Sequence, residues 1–153
     1  MGLFSFVKNA GTKIFGKKEE ETAAPEEKKQ LRAQALLDHV KALGLAYNSL
    51  KISVSDDDVK VEGDVADQVD AEKIILAIGN VDGVDQVDNL MTVTSPAPEA
   101  KYHTVVSGDS LSKIAKTYYG DMMRYNEIFE ANKPMLEHPD KIYPGQVLRI
   151  PNA

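Results

Sequence analysis

The chain has no cysteine. A disulfide staple, a thiolate nucleophile and a cysteine-based metal site are therefore all excluded, which fits a reducing compartment. No apolar run reaches the length of a membrane-spanning helix, so no stable membrane insertion is expected. Met1 to Val7 is apolar but lacks a basic start, a long apolar core and a small-residue cleavage site, and so does not read as a secretory signal. Nor does Gly2 meet the myristoylation pattern, because the required hydroxyl residue falls one place early and Phe6 stands where it should be. Reaction motifs are missing too: His39, His103 and His138 are scattered, and there is no HExxH pair, nucleophile elbow or phosphate loop. No enzyme is expected. Positive charge is scarce in the middle of the chain, where Ser49 to Met91 holds eleven acids against three lysines. That balance argues against a nucleic-acid ligand there.

What is present divides into segments. Leu3, Phe4, Val7, Ile14 and Phe15 supply the apolar face of a short amphipathic N-terminal helix, and Lys17 to Pro25 follows as a charged tether. Pro25, followed by Glu26 and Glu27, is a good helix opening; Ala33, Leu36, Leu37, Val40 and Leu43 form a buried stripe that Gly44 ends. Leu50, Ile52 and Val54 alternate, as do Val59 and Val61, with the acidic Ser55 to Asp58 between them as a hairpin loop. Ala71, Ile74, Ile75 and Ile78 mark a second helix, and Val87, Met91 and Val93 one face of a third strand. This αββαβ order, with the runs Val59 to Val65 and Val81 to Asn89, resembles the BON family over Gln30 to Thr94. Phospholipid binding has been proposed for many BON proteins, but the acid-rich surface of this copy should be repelled by anionic lipids.

Ser95 to Ala100 is a short, stiff Pro/Ala linker. Beyond it, Gly108 supplies a turn, Asp109 is positioned to cap a helix over Ser110 to Tyr119, and Gly120 stops that helix. A second short helix spans Tyr125 to Asn132, and the Pro144-Gly145 turn feeds Val147, Leu148 and Ile150 into a closing strand. This βααβ module resembles the LysM family over Tyr102 to Pro151. The resemblance implies a groove for N-acetylglucosamine polymers such as peptidoglycan, between Gly108, Asp109, Ser110 and Leu111 on one side and Ile142, Tyr143 and Pro144 on the other. Helix-start amides would donate to the acetamido group, and Tyr143 would pack on a sugar face. The same residues are also what the fold alone requires.

The expected fold is thus α+β: an N-terminal helix and tether (1–24), an αββαβ domain (25–94), a linker (95–100) and a βααβ domain (101–153). Taken whole, the chain resembles the cytoplasmic bacterial potassium-binding proteins built from one BON and one LysM domain. That resemblance implies a cytoplasmic, monomeric protein that binds K⁺ and changes conformation; the alternative is an envelope adaptor that binds glycan through the LysM domain. K⁺ is large and weakly hydrated, so selective sites favour neutral oxygens over a carboxylate cage that would also suit Ca²⁺ or Mg²⁺. Helix C-termini offer unpaired carbonyls carrying partial negative charge. One such end is Gly79-Asn80, running into the turn Val81, Gly83 and Val84; the other is the fraying end of the N-terminal helix at Val7, Ala10 and Gly11. Docked side by side, the two ends would enclose one ion. Asp56 to Asp58 lacks EF-hand spacing and reads as a solvated hairpin tip, whereas Asp82, Asp85 and Asp88 contribute an outer negative field.

Overall fold

The computed structural model describes residues 2–8, 10–15 and 24–152. Among the described residues, six strands and four α-helices follow one another in the order β1 (Gly2–Ser5), α1 (Pro25–Ala42), β2 (Ser49–Ser55), β3 (Asp58–Asp67), α2 (Gln68–Gly79), β4 (Gln86–Ser95), β5 (Lys101–Thr104), α3 (Leu111–Tyr119), α4 (Tyr125–Ala131) and β6 (Val147–Ile150). A single 3₁₀ turn, Met122–Arg124, precedes α4. The mixed α+β class is as expected.

β2 and β3 form an antiparallel hairpin whose tip is Asp56, held at positive φ. β3 then pairs parallel to β4, and a parallel pair cannot be joined by a tight turn, so α2 makes the crossover. The resulting sheet has the order β1-β4-β3-β2. Alternation sends Val59, Val61 and Val65 of β3 and Val87 and Met91 of β4 to one face, where Ile74, Ile75 and Ile78 of α2 and Leu36 and Val40 of α1 cover them. The smaller sheet pairs β5 with β6 antiparallel, and α3 and α4 close its core around Leu111, Ile114, Ile128, Leu148 and Ile150.

The N-terminus departs from expectation. Residues 2–5 form a strand on the free edge of β4, with Phe4 opposite Val87, and not the amphipathic helix that the apolar spacing predicts. Phe4 and Phe6, two apart as strand period requires, turn inward: Phe4 meets Tyr102 edge to face at 5.2 Å, and Phe6 is buried, whereas Leu3 and Val7 are exposed. A short apolar run fits either period, and here an unpaired strand edge far along the chain decides between them. Ile14 and Phe15 are half-buried against the main core, and the Arg32 guanidinium lies 4.8 Å from the centre of the Phe15 ring. The tether at 17–25 lies outside the described residues except for its last two.

The two domains share a core. All of β6 is buried: Leu148 and Ile150 enter the small core, while Val147 enters the large one. Arg149 reaches across to Glu72 of α2, Nε to Oε1 at 2.6 Å, and Glu72 is 2% exposed. The other oxygen of Glu72 accepts from the Ala100 amide and from Gln68. Both carboxylate oxygens of Glu72 thus have partners, the condition under which a buried ion pair is tolerated. No helix among the described residues is long and apolar enough to cross a membrane.

Candidate functional site

The turn after α2 is the meeting point of three segments. Asn80 caps α2 with φ −83° and ψ 33°, and its amide donates to Leu76. The N-terminal loop lies along this turn and is laced to it on both sides. Thr12 N–H donates to the Asn80 carbonyl at 2.9 Å, Asp82 N–H to the Thr12 carbonyl at 2.9 Å, and Gly83 N–H to the Lys8 carbonyl at 2.6 Å. Phe6 N–H donates to the Asp85 carbonyl at 2.8 Å, and the Asp85 amide in turn donates to Asp57 at the hairpin tip. Lys8 forms a 2.6 Å ion pair with the Asp57 carboxylate, which keeps the lysine charge near its full value over a wider pH range.

The backbones touch. At Gly11, φ is +107° and a Cβ would stand 2.3 Å from the Asn80 carbonyl oxygen, so only glycine admits this approach. At Gly79 a Cβ would fall inside the Phe6 ring. The closing turn of the small domain comes up from the other side, where a Cβ on Gly145 would lie 2.7 Å from that of Ala10. The Asn80 side chain finishes the junction by exchanging two hydrogen bonds, both 2.8 Å, with the amide and carbonyl of Val147.

Val7, Ala10 and Gly11 are therefore brought against Gly79, Asn80, Val81, Gly83 and Val84, though from a loop following a strand and not from a helix end. The Val7, Asn80 and Val81 carbonyls each accept one amide, from Ala10, Thr12 and Val84 respectively. Among the described residues, no backbone amide donates to the carbonyls of Ala10, Gly11, Gly79, Gly83 or Val84. Gly79 and Val84 are buried residues, where a carbonyl without a donor is uncommon. Also among the described residues, no group of three or more His, Asp or Glu side chains could hold a metal ion. Lys8, Thr12, Phe6 and the Asn80 side chain were not legible as parts of the junction, since each acts through a partner distant in sequence. Only the glycines offered a signal.

The glycan groove is differently placed. Gly108 and Pro144 are exposed and Gly108 has φ +91°, as a turn there demands. The helix cap is Ser110, whose Oγ accepts from Lys113 N–H at 3.2 Å, and not Asp109. Asp109 is already engaged: one carboxylate oxygen takes Val106 N–H at 3.0 Å and lies 2.9 Å from His103 Nε2. The hydrogen bond to His103 is the chief reason its acidity is enhanced, with the Val106 amide second. Leu111 is buried in the small core, and Ile142 packs against that core. Tyr143 is half-buried, its phenol pKa raised by desolvation, and it lines a cavity of about 140 Å³ beside Thr12, Asn80, His39 and Gln146.

Comparison with known proteins follows this layout. The BON domain family matches residues 29–95, and the LysM domain family matches residues 103–151. An Escherichia coli protein, Potassium binding protein Kbp, is 43% identical over 152 residues, which is 99% of this chain and 99% of that protein. The chain belongs to the Kbp family. An uncharacterized protein of Deinococcus radiodurans is 36% identical over 132 residues, 78% of this chain but 51% of that longer protein. Neither matched domain family is an enzymatic one, and the Kbp-like arrangement covers both domains together with the N-terminal segment.

Proposed function

We propose that this chain binds one K⁺ ion through main-chain carbonyls at the junction, drawn from Gly79, Asn80, Val81, Gly83 and Val84 on the turn and from Val7, Ala10 and Gly11 on the N-terminal loop. It acts as a cytoplasmic, monomeric sensor or buffer that tightens when the ion enters. The observation that carries this reading is the lacing of the loop to the turn, which gathers main-chain carbonyls, several of them without an amide donor among the described residues, where those residues form no carboxylate group able to hold a metal. Neutral oxygens of that kind suit a large, weakly hydrated cation. The name of the Escherichia coli relative points the same way. Asp82 and Asp85 lie around the turn and lend it a negative field without forming a cage, while Asp57 is paired with Lys8.

A ligand that binds only the docked form stabilises it by mass action. The melting temperature should therefore be higher in K⁺ than in Na⁺ at matched ionic strength, and identical curves at saturating salt would remove the reading. The glycan alternative retains the exposed Gly108 turn in its favour. Against it, Tyr143 is half-buried at the junction and the adjoining Gly145 is packed on Ala10, so one wall of the groove is engaged within the chain. Chitooligosaccharides are expected to bind weakly or not at all; saturable binding abolished by Tyr143→Ala would restore that alternative.

A further inference from the structure

β6 is a strand with one protein partner and an edge to spare. β5 occupies one side. On the other, two asparagine side chains take the place of a neighbouring strand. Asn132 Oδ1 accepts from Arg149 N–H at 2.7 Å while its Nδ2 donates to the Arg149 carbonyl at 2.8 Å. Asn80 does the same at Val147, with Oδ1 accepting at 2.8 Å and Nδ2 donating at 2.8 Å. A carboxamide carries one acceptor and one donor at the spacing of a peptide group, so it satisfies an extended residue on both counts. The two asparagines differ in origin. Asn132 follows α4 and belongs to the same domain as β6; Asn80 follows α2 and belongs to the other.

Asn80 is 6% exposed, and its main chain forms part of the turn: its carbonyl takes Thr12 N–H, and the next peptide leads to Val81. One residue thus holds the junction by its backbone and the LysM strand by its side chain. Neither an aspartate, which lacks the donor, nor a glutamine, longer by a methylene, reproduces that pairing. Resting on the K⁺ reading above, we infer that Asn80 is a positioning residue: its side chain, anchored on Val147, fixes the orientation of the Gly79–Val81 peptides and so makes LysM docking part of the ion site's affinity, although the LysM domain supplies no ligand. Coupling of this kind is reciprocal. If the Asn80–Val147 pair raises K⁺ affinity, K⁺ must strengthen the pair by the same factor.

The test follows amide exchange and K⁺ affinity in the full chain. Since β-strand groups alternate, the Val147 amide faces Asn80 while that of Leu148 faces β5 and serves as an internal control. K⁺ should slow exchange at Val147 by about tenfold relative to matched Na⁺, within the usual range of coupling between sites, and change Leu148 far less. Asn80→Ala keeps every main-chain carbonyl yet should weaken K⁺ binding about tenfold and abolish the K⁺ dependence at Val147. Asn132→Ala, which frees the other end of the same edge, should lower stability and leave K⁺ affinity near wild type. Should Asn80→Ala fail to fold, Asn80→Ser, which adds no charge beside the ion, supplies the affinity readout, and the wild-type exchange rates decide the matter in any case. Wild-type protein that binds K⁺ with no change at Val147, or a folded Asn80 variant with undiminished affinity, overturns this inference and leaves the K⁺ reading standing. Failure of the wild type to bind K⁺ takes away both.

Discussion

Gly11 and Asn80 lie so close that a single methyl group on the glycine would stand 2.3 Å from the asparagine's carbonyl oxygen, with φ at +107° adding backbone strain. Gly11→Ala should therefore separate the N-terminal loop from the turn and weaken K⁺ binding by at least about tenfold, the equivalent of ~1.4 kcal/mol. Gly44→Ala is the matched control. Gly44 also has positive φ, +71°, but open space where the Cβ would go. That variant should cost about 1–2 kcal/mol of stability from conformation alone and leave K⁺ affinity unaltered in calorimetric titration.

Glu72 and Arg149 carry the second prediction. Removing one partner leaves a buried charge without compensation, so Glu72→Ala should lower the free energy of urea unfolding by about 3–5 kcal/mol. Replacing both with apolar residues of similar volume should cost far less, since the desolvation penalty leaves with the charges. A double variant as unstable as Glu72→Ala would show that the interface depends on the hydrogen bonds to Ala100 and Gln68 and not on the ion pair.

Burial holds the His39 imidazole below its ordinary pKa, so the folded protein resists protonating it. With the folded value depressed, the unfolded chain takes up the proton first as pH falls below about 6.5, and stability is lost in that direction. His39 lines the junction cavity with Thr12 and Asn80, so mild acid should loosen the docked loop. Thermal melts from neutral pH downward should show a loss of stability in the wild type that is reduced in His39→Gln. Equal pH dependence in both would assign the effect to other groups.

Much of the fold was legible because the elements announce themselves locally. Pro25 with two glutamates opens α1, the alternating valines give β2 and β3, and Pro144-Gly145 introduces β6. The turn at Gly79 to Val84 was legible for the same reason, as a helix end followed by glycine. β1 was not, because Leu3 to Val7 satisfies helical and strand spacing alike until the edge of β4 is known. Ser110 displaced Asp109 as the cap of α3 because Asp109 is held by His103 and Val106, contacts that local spacing does not reveal. The side-chain pairing of Asn80 with Val147, 67 residues apart, had no local trace at all.

On the proposed reading, main-chain carbonyls of two sequence-distant segments hold one K⁺ ion. Backbone amide shifts of the full chain, followed during titration with K⁺ and separately with Na⁺ at constant ionic strength, test it most directly. K⁺ should produce saturable shifts concentrated at the amides of residues 7–12 and 79–85, with Na⁺ leaving those positions largely unmoved. Equal responses to the two ions, or K⁺-specific shifts confined to other parts of the chain, would contradict it.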